Sequence, residues 1–216
     1  MPDKKIYLKK GKEESLKRFH PWVFSGAIQH MDNDIAEGDI VRVITSGGEF
    51  IAVGHYQIGS IAVRILSFND VPIDGEFWRS RLTSALQIRI SIGVADNPAN
   101  TTYRLVHGEG DNLPGLVIDC YNQTAVVQAH SVGMHVNRID ICEALVASMG
   151  NRIKNVYYKS ETTLPFKAEL GQENGFIYGG TNDNIALENG LSFYVDWLKG
   201  QKTGFFVDQR DNRALL

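Results

Sequence analysis

The chain has 216 residues, 43 % hydrophobic and 22 % charged, with a formal net charge of -3, which fits a globular protein and excludes a low-complexity or strongly polyionic one. Two cysteines are too few for a disulfide framework or a zinc site, and no run approaches the ~20 apolar residues of a membrane span. The Lys-rich N-terminus has no apolar stretch of a secretory signal behind it, so a cytoplasmic location without membrane contact is expected.

Glycine is abundant at 21 residues and sits mostly in short polar turns between apolar runs, which predicts a β-rich α+β protein. Residues 1–22 gather Lys4, Lys5, Lys9, Lys10, Lys12, Lys17 and Arg18 against Asp3, Glu13 and Glu14. This local positive excess can meet phosphates or form a solvated basic tail. Strands are predicted at Ile40 to Ile44 and Phe50 to Tyr56, flanking the hairpin signal Thr45-Ser46-Gly47-Gly48, and at Ile61 to Phe68. So many strands in about 70 residues suggest a small closed barrel.

A helix is predicted from Glu76 to Ile92, with Trp78, Leu82, Ala85 and Leu86 at helical spacing, Asp74 as N-cap and Gly93 as stop. Asp96-Asn97-Pro98-Ala99-Asn100 then marks a boundary. Beyond it, Leu116 to Tyr121 and Thr124 to Ala129 form a hairpin. Val136, Ile139, Cys142, Leu145, Val146 and Met149 mark the buried face of one helix closed by Gly150. Strands at Asn155 to Lys159 and Gly175 to Tyr178 complete a compact ββαββ unit. A last hairpin joins Ile185-Ala186-Leu187 to Leu191 through Val195 across Asn189-Gly190, and then an aromatic strand runs into a polar, Arg-bearing segment that should start a helix.

Several motifs fail as chemistry. His107-Gly108-Glu109-Gly110-Asp111-Asn112-Leu113-Pro114-Gly115 lacks the third glycine of a dinucleotide fingerprint and precedes a strand, so it reads as a structural turn. Gly200-Gln201-Lys202-Thr203-Gly204 lacks the glycine before lysine of a phosphate-binding loop. His20, His30, His55, His107, His130 and His135 show no metal-binding spacing, and Cys120 and Cys142 read as small buried hydrophobes. Phe19-His20-Pro21-Trp22-Val23-Phe24 beside the basic cluster suits RNA, because bases stack on aromatic faces while cations meet phosphates. The alternation equally suits core packing, expected above all for Phe24. Arg64 is either a rim charge or a phosphate contact.

Three blocks resemble the bacterial 23S ribosomal RNA cytosine-C5 methyltransferases of the large-subunit methyltransferase I type, which carry an N-terminal PUA domain. They are Arg18 to Phe24 with Gly54 to Leu66, then Arg104 to Asp119, then Lys202-Thr203-Gly204-Phe205-Phe206-Val207-Asp208-Gln209-Arg210-Asp211-Asn212-Arg213. The resemblance implies a PUA-like RNA-binding barrel at 1–70, a connecting helix at 71–96 and a central α+β domain at 97–184. Residues 185–216 would form a hairpin and the start of a truncated Rossmann-like methyltransferase domain. It implies S-adenosylmethionine as cofactor, with Thr203, Gly204, Phe206, Asp208 and Arg210 beside it, or else Phe205 and Phe206 as interdomain core and Asp208 with Arg210 as an ordinary ion pair. Ribosomal RNA would be met by Lys9, Lys10, Lys17, Arg18, His20, Trp22 and Arg64, and a homodimer is implied.

Two departures stand out. Tyr56-Gln57-Ile58-Gly59-Ser60 replaces an expected Asn-Pro, and no glycine-rich cofactor loop, Pro-rich catalytic loop or nucleophilic Cys follows Arg213. Cytosine C5 methylation needs a thiolate that attacks C6, so the chain by itself is expected to be inactive, with the reacting residues beyond Leu216. A stand-alone RNA-binding adaptor and a protein-interaction fragment remain as alternatives.

Overall fold

The computed structural model describes residues 4–165, 170, 173–181 and 184–216, so Asp3 of the basic cluster lies outside the described residues. The N-terminal sheet holds β1 (Lys5–Leu8), β2 (Trp22–Phe24), β3 (Ile28–Met31), β4 (Ile40–Ile44), β5 (Phe50–Tyr56) and β6 (Ile61–Ser67), in the order β2-β6-β5-β4-β1-β3. All neighbours are antiparallel except β1 and β4. Strands β2 and β3 sit at opposite edges yet are joined only by Ser25–Ala27. A flat sheet of this width would separate its edges by about 24 Å, whereas the connection reaches about 14 Å, so the sheet has to curl. The expected barrel is therefore a strongly curled sheet whose edge strands do not hydrogen-bond to each other. Alternation puts Ile6, Leu8, Val41, Val43, Val63 and Ile65 inside, joined by Leu16 of the short helix α1 (Glu14–Lys17).

Helix α2 (Gly75–Ser91) begins where predicted: the Asp74 side chain accepts a 3.0 Å hydrogen bond from the Phe77 amide. Its Trp78, Leu82, Ala85 and Leu86 pack into the core of the second sheet. That sheet runs β11-β10-β9-β8-β7, with β7 (Thr102–His107), β8 (Leu116–Tyr121), β9 (Thr124–Ala129), β10 (Asn155–Tyr158) and β11 (Gly175–Tyr178). Strands β9 and β10 are parallel. Such a pair needs a long crossover, supplied by α3 (Val132–Val136) and α4 (Arg138–Met149).

The unit thus departs from the expected ββαββ pattern by a strand and a helix. Strand β7 escaped notice because Arg104 interrupts its apolar run, yet the guanidinium is neutralised by the buried Asp119 on the neighbouring strand. The expected single helix breaks between Val136 and Arg138, which turns its face. Val136 and Ile139 are exposed, while Ile141 and Ala144 join Cys142, Leu145 and Met149 in the core.

The two faces of this sheet are covered differently. Leu116, Ile118 and Cys120 of β8 face α2 and α4, whereas Tyr121 faces a second cluster with Val126, Tyr157, Val195 and Trp197. That second face lies under the hairpin of β12 (Ile185–Glu188) and β13 (Leu191–Tyr194), with Ala186 and Phe205 packed into it. The Asn189-Gly190 turn has φ of 52° and 81°, the positive pair a two-residue hairpin favours. The expected aromatic strand after Lys202 does not form. Residues 203–205 instead follow a turn and bends, then Val207–Gln209 make one 3-10 turn before α5 (Arg210–Ala214).

Candidate RNA and cofactor surfaces

The curled sheet and the second sheet meet along a seam built around His55, Gln57 and α3. His55 is 1 % exposed, stacks on Trp78 and accepts a 3.1 Å hydrogen bond at Nε2 from the Asn137 amide. Gly133 makes this approach possible, since a Cβ there would lie 2.1 Å from the imidazole. Burial, with a smaller effect from Arg64, pushes the His55 pKa down to about 4. Gln57, in the segment that replaces the expected Asn-Pro, accepts from Arg64 and from the Val132 amide, both at 3.2 Å. The substituted residue therefore holds the seam closed.

Trp22 and Arg64 are direct cross-strand partners between β2 and β6. The Trp22 Nε1–H donates to Glu109 Oε1 at 2.9 Å, bridging the curled sheet to the turn after β7. His20 and Phe24 both pack edge-on to Trp22 and lie tilted to each other, and Phe24 is 48 % exposed, which corrects its expected core position. Its strand lies at a sheet edge next to the 3-10 turn, where His20 and Trp22 cover the ring only in part. Exposed Phe19 adds a ring against Phe68.

The basic cluster is partly spent on local contacts. Lys17 pairs with Glu14 at 2.8 Å, Arg18 donates to the Glu14 carbonyl at 3.3 Å, Lys4 pairs with Asp39, and Lys9 donates to the Gly26 carbonyl. Lys10 is exposed. Arg64 is half-buried, and burial lowers its pKa against a raising effect of Glu109.

The turn from His107 to Asp111 is structural, as its sequence indicates. Asp111 accepts the His107 amide at 2.6 Å and forms a two-pronged ion pair with Arg89, and Asn112 takes the left-handed conformation. It also separates two clefts that share His107 and Gly110. One, of about 280 Å³, lies toward Arg64, Glu109 and His130. The other, of about 560 Å³, lies between α2, β7 and the terminal segment, and reaches Ile88, Ile92, Tyr103, Val207, Asp208 and Arg210.

The structure separates the five expected cofactor residues. Thr203 is fully buried, with Oγ1 donating to Asp119 Oδ2 at 2.6 Å and lying 2.8 Å from the Tyr121 hydroxyl. Gly204 has φ +114° and packs on the Trp197 backbone. Arg210 donates to Asn100 Oδ1 at 2.7 Å and to the Thr102 carbonyl, and its partner in charge is Glu188 rather than Asp208. Phe206 is 40 % exposed with the Lys202 ammonium over its ring, and Asp208 is exposed, its pKa lowered chiefly by the Gln209 amide. Phe205, by contrast, packs inside, with the Arg213 guanidinium 4.3 Å from its ring centre.

Sequence reasoning missed Asp119, Arg104, Glu109 and Glu188. Asp119 is fully buried and pairs with Arg104 through bonds of 2.8 and 2.9 Å, and the 2 % exposed Glu188 pairs with Arg213 at 2.7 and 2.8 Å. An acidic residue inside an apolar strand was the available signal, since buried carboxylates require partners. Cys120 and Cys142 are buried, and burial pushes their thiols up to about 12 and about 11. Among the described residues, no helix is long and apolar enough to cross a membrane, and no group of three or more His, Cys, Asp or Glu could hold a metal ion.

Residues 6–68, the curled sheet, match the PUA-like domain family. The chain as a whole is similar to ribosomal RNA large subunit methyltransferase I. It is 37 % identical over 211 residues to the Vibrio campbellii protein, covering 96 % of this chain and 52 % of that one. The corresponding Pseudoalteromonas translucida protein is 36 % identical over 215 residues, covering 98 % and 53 %. The chain spans about half the length of the curated relatives it matches. A Streptococcus mutans chain assigned as a SAM-dependent methyltransferase superposes with a TM-score of 0.79 at 22 % identity, over 97 % of this chain and 52 % of that chain. SMU.776, assigned as a methyltransferase and crystallised with SAH, gives 0.78 at 22 % over the same shares. At such identity the likeness concerns the fold alone.

Proposed function

We propose that this chain is the RNA-positioning portion of an S-adenosylmethionine-dependent methyltransferase acting on cytosine C5 of large-subunit ribosomal RNA. The observation that carries the reading is the arrangement of its surfaces. The aromatic and cationic edge at Trp22 and Arg64 adjoins, across the His107–Asp111 turn, the cleft that holds Asp208. The relatives' shared assignment to ribosomal RNA supports the substrate class.

RNA would stack bases on Trp22 and Phe24 and meet phosphates with Arg64 and Lys10. Phe206 and Asp208 fit one wall of the cofactor site, because an exposed ring can cover an adenine and a carboxylate can accept from ribose hydroxyls. The cofactor, when bound, supplies an electrophilic methyl group. Thr203, Gly204 and Arg210 shape that wall by anchoring its backbone to Asp119, Trp197 and Asn100. Neither cysteine supplies the thiolate that C5 chemistry requires, since both are buried with raised thiol pKa values. In our reading these residues orient the RNA, and the purified chain transfers no methyl group to it.

The test is fluorescence anisotropy with 23S ribosomal RNA fragments across a salt series. Binding should weaken steeply with salt and fall about tenfold in Trp22→Ala, in line with the worth of one base stack. Absent or salt-insensitive binding refutes the RNA reading. Calorimetric titration with S-adenosylmethionine tests the wall: weak binding lost in Phe206→Ala and Asp208→Asn supports it. Absence of binding, or binding indifferent to both changes, removes it.

A further inference from the structure

We propose that the smaller cleft at the seam is a single-nucleotide subsite that selects bases carrying an exocyclic amino group, with Glu109 as the selecting residue and Arg64 as the phosphate contact. This rests on the RNA reading above and concerns the neighbour of the cleft that holds Asp208, across the shared His107 and Gly110. The space is about 280 Å³ and is lined by Arg64, His107, Glu109, Gly110 and His130 among others, room for one nucleotide rather than a helix.

Glu109 is exposed, and its Oε1 is fixed by the Trp22 indole N–H at 2.9 Å. The bond orients the carboxylate, and among the described residues Oε2 has no hydrogen-bond donor, so it is an acceptor at the cleft edge. Arg64, the cross-strand neighbour of Trp22, gives Nη1 to Gln57 and feels the Glu109 carboxylate, and its guanidinium makes no other hydrogen bond to the described residues, which leaves donors that a phosphate can meet. Ring and cation thus come from the curled sheet and the carboxylate from the turn after β7, and they meet only in the folded chain. A carboxylate accepts from the N4 amino group of cytosine, or from those of adenine and guanine. Uracil presents carbonyl oxygens there, which the carboxylate repels. Arg64 is indifferent to the base.

The experiment measures anisotropy of labelled twelve-nucleotide oligocytidylate and oligouridylate with the chain. Wild type should bind the cytidylate about tenfold tighter, the worth of one side-chain contact to a base edge. Glu109→Gln, which can donate to a uracil carbonyl, should bring the two within about twofold. Trp22→Phe should also narrow the preference, because it frees the carboxylate. Arg64→Gln should weaken both oligomers alike and lower the salt slope by about 0.7, the value for one phosphate contact on a single strand, with the preference kept. Equal wild-type affinity for both oligomers, or a preference that survives Glu109→Gln, overturns the subsite while leaving RNA binding in place. Failure of the chain to bind either oligomer overturns both readings.

Discussion

Replacing Asp119 with asparagine should loosen the terminal segment from the second sheet. The carboxylate is fully buried and serves three donors: Nε and Nη2 of Arg104 at 2.8 and 2.9 Å, and the Thr203 hydroxyl at 2.6 Å. An amide of the same shape keeps one acceptor but points an N–H at a donor and leaves the guanidinium without its counter-charge. Breaking a buried pair from one side costs about 3 to 5 kcal/mol. The Arg104 side chain is 29 % exposed, so water recovers part of the loss and about 3 kcal/mol is expected. That is a large share of the ~5 to 15 kcal/mol that holds a domain together. Thr203→Val removes only the hydroxyl and should cost about 1 to 2 kcal/mol. Because both changes act on the same carboxylate, the double variant should lose less than the sum. Urea unfolding followed by tryptophan fluorescence measures all three, and trypsin cleavage after Lys199 or Lys202 should quicken in parallel. Losses below about 0.5 kcal/mol in both single variants, or strict additivity, would refute the network.

Four further outcomes follow from the structure. Gly204→Ala should destabilise by more than about 2 kcal/mol in urea melts, because a Cβ there meets the Trp197 Cα at 2.6 Å in addition to the φ of +114°. Gly93→Ala, at φ +74° with open space around it, should cost only about 1 kcal/mol. His55 sets a pH dependence: its folded pKa of about 4 lies below the ordinary 6.5, so the unfolded chain binds the proton more readily. Its share of stability is full above pH 6.5 and declines toward pH 4, up to about 3 kcal/mol at 1.36 kcal/mol per unit. Urea midpoints between pH 7.5 and 5 should show this decline, and His55→Gln should remove that part of it. Finally, the raised thiols of Cys120 and Cys142 should resist iodoacetamide at pH 8 in the native chain and react in urea. Mass spectrometry reads the result, and rapid native labelling of Cys120 would contradict its burial.

Elements governed by local periodicity were legible in the sequence. Strands β4 and β5, the hairpin of β8 and β9, the Asp74 cap and the Asn189-Gly190 turn stand where alternation and turn chemistry put them. The failures share a cause. Strand β7 was hidden by Arg104, whose charge becomes tolerable only beside Asp119. The terminal aromatics suggested a strand, but Phe205 turns inward onto Tyr121 while Phe206 stays outside, a division made by the sheet beneath them.

The candidate site follows the same rule. Trp22, Arg64, Phe206 and Asp208 were visible as residue types suited to RNA or cofactor, and the structure leaves Phe206 and Asp208 exposed. Thr203 and Arg210 were equally visible, yet their side chains are committed to Asp119, Tyr121, Asn100 and Glu188. Glu109 carried no signal of its own in a glycine-rich turn. By itself the sequence determined β4, β5, the β8–β9 hairpin, the Asp74 cap and the Asn189-Gly190 turn, since these depend on neighbours within a few positions. Only the tertiary structure decided which charges are buried in pairs and which face the clefts. Partners 15 to 110 positions apart meet there, and desolvation acts on the assembled pair rather than on either residue alone.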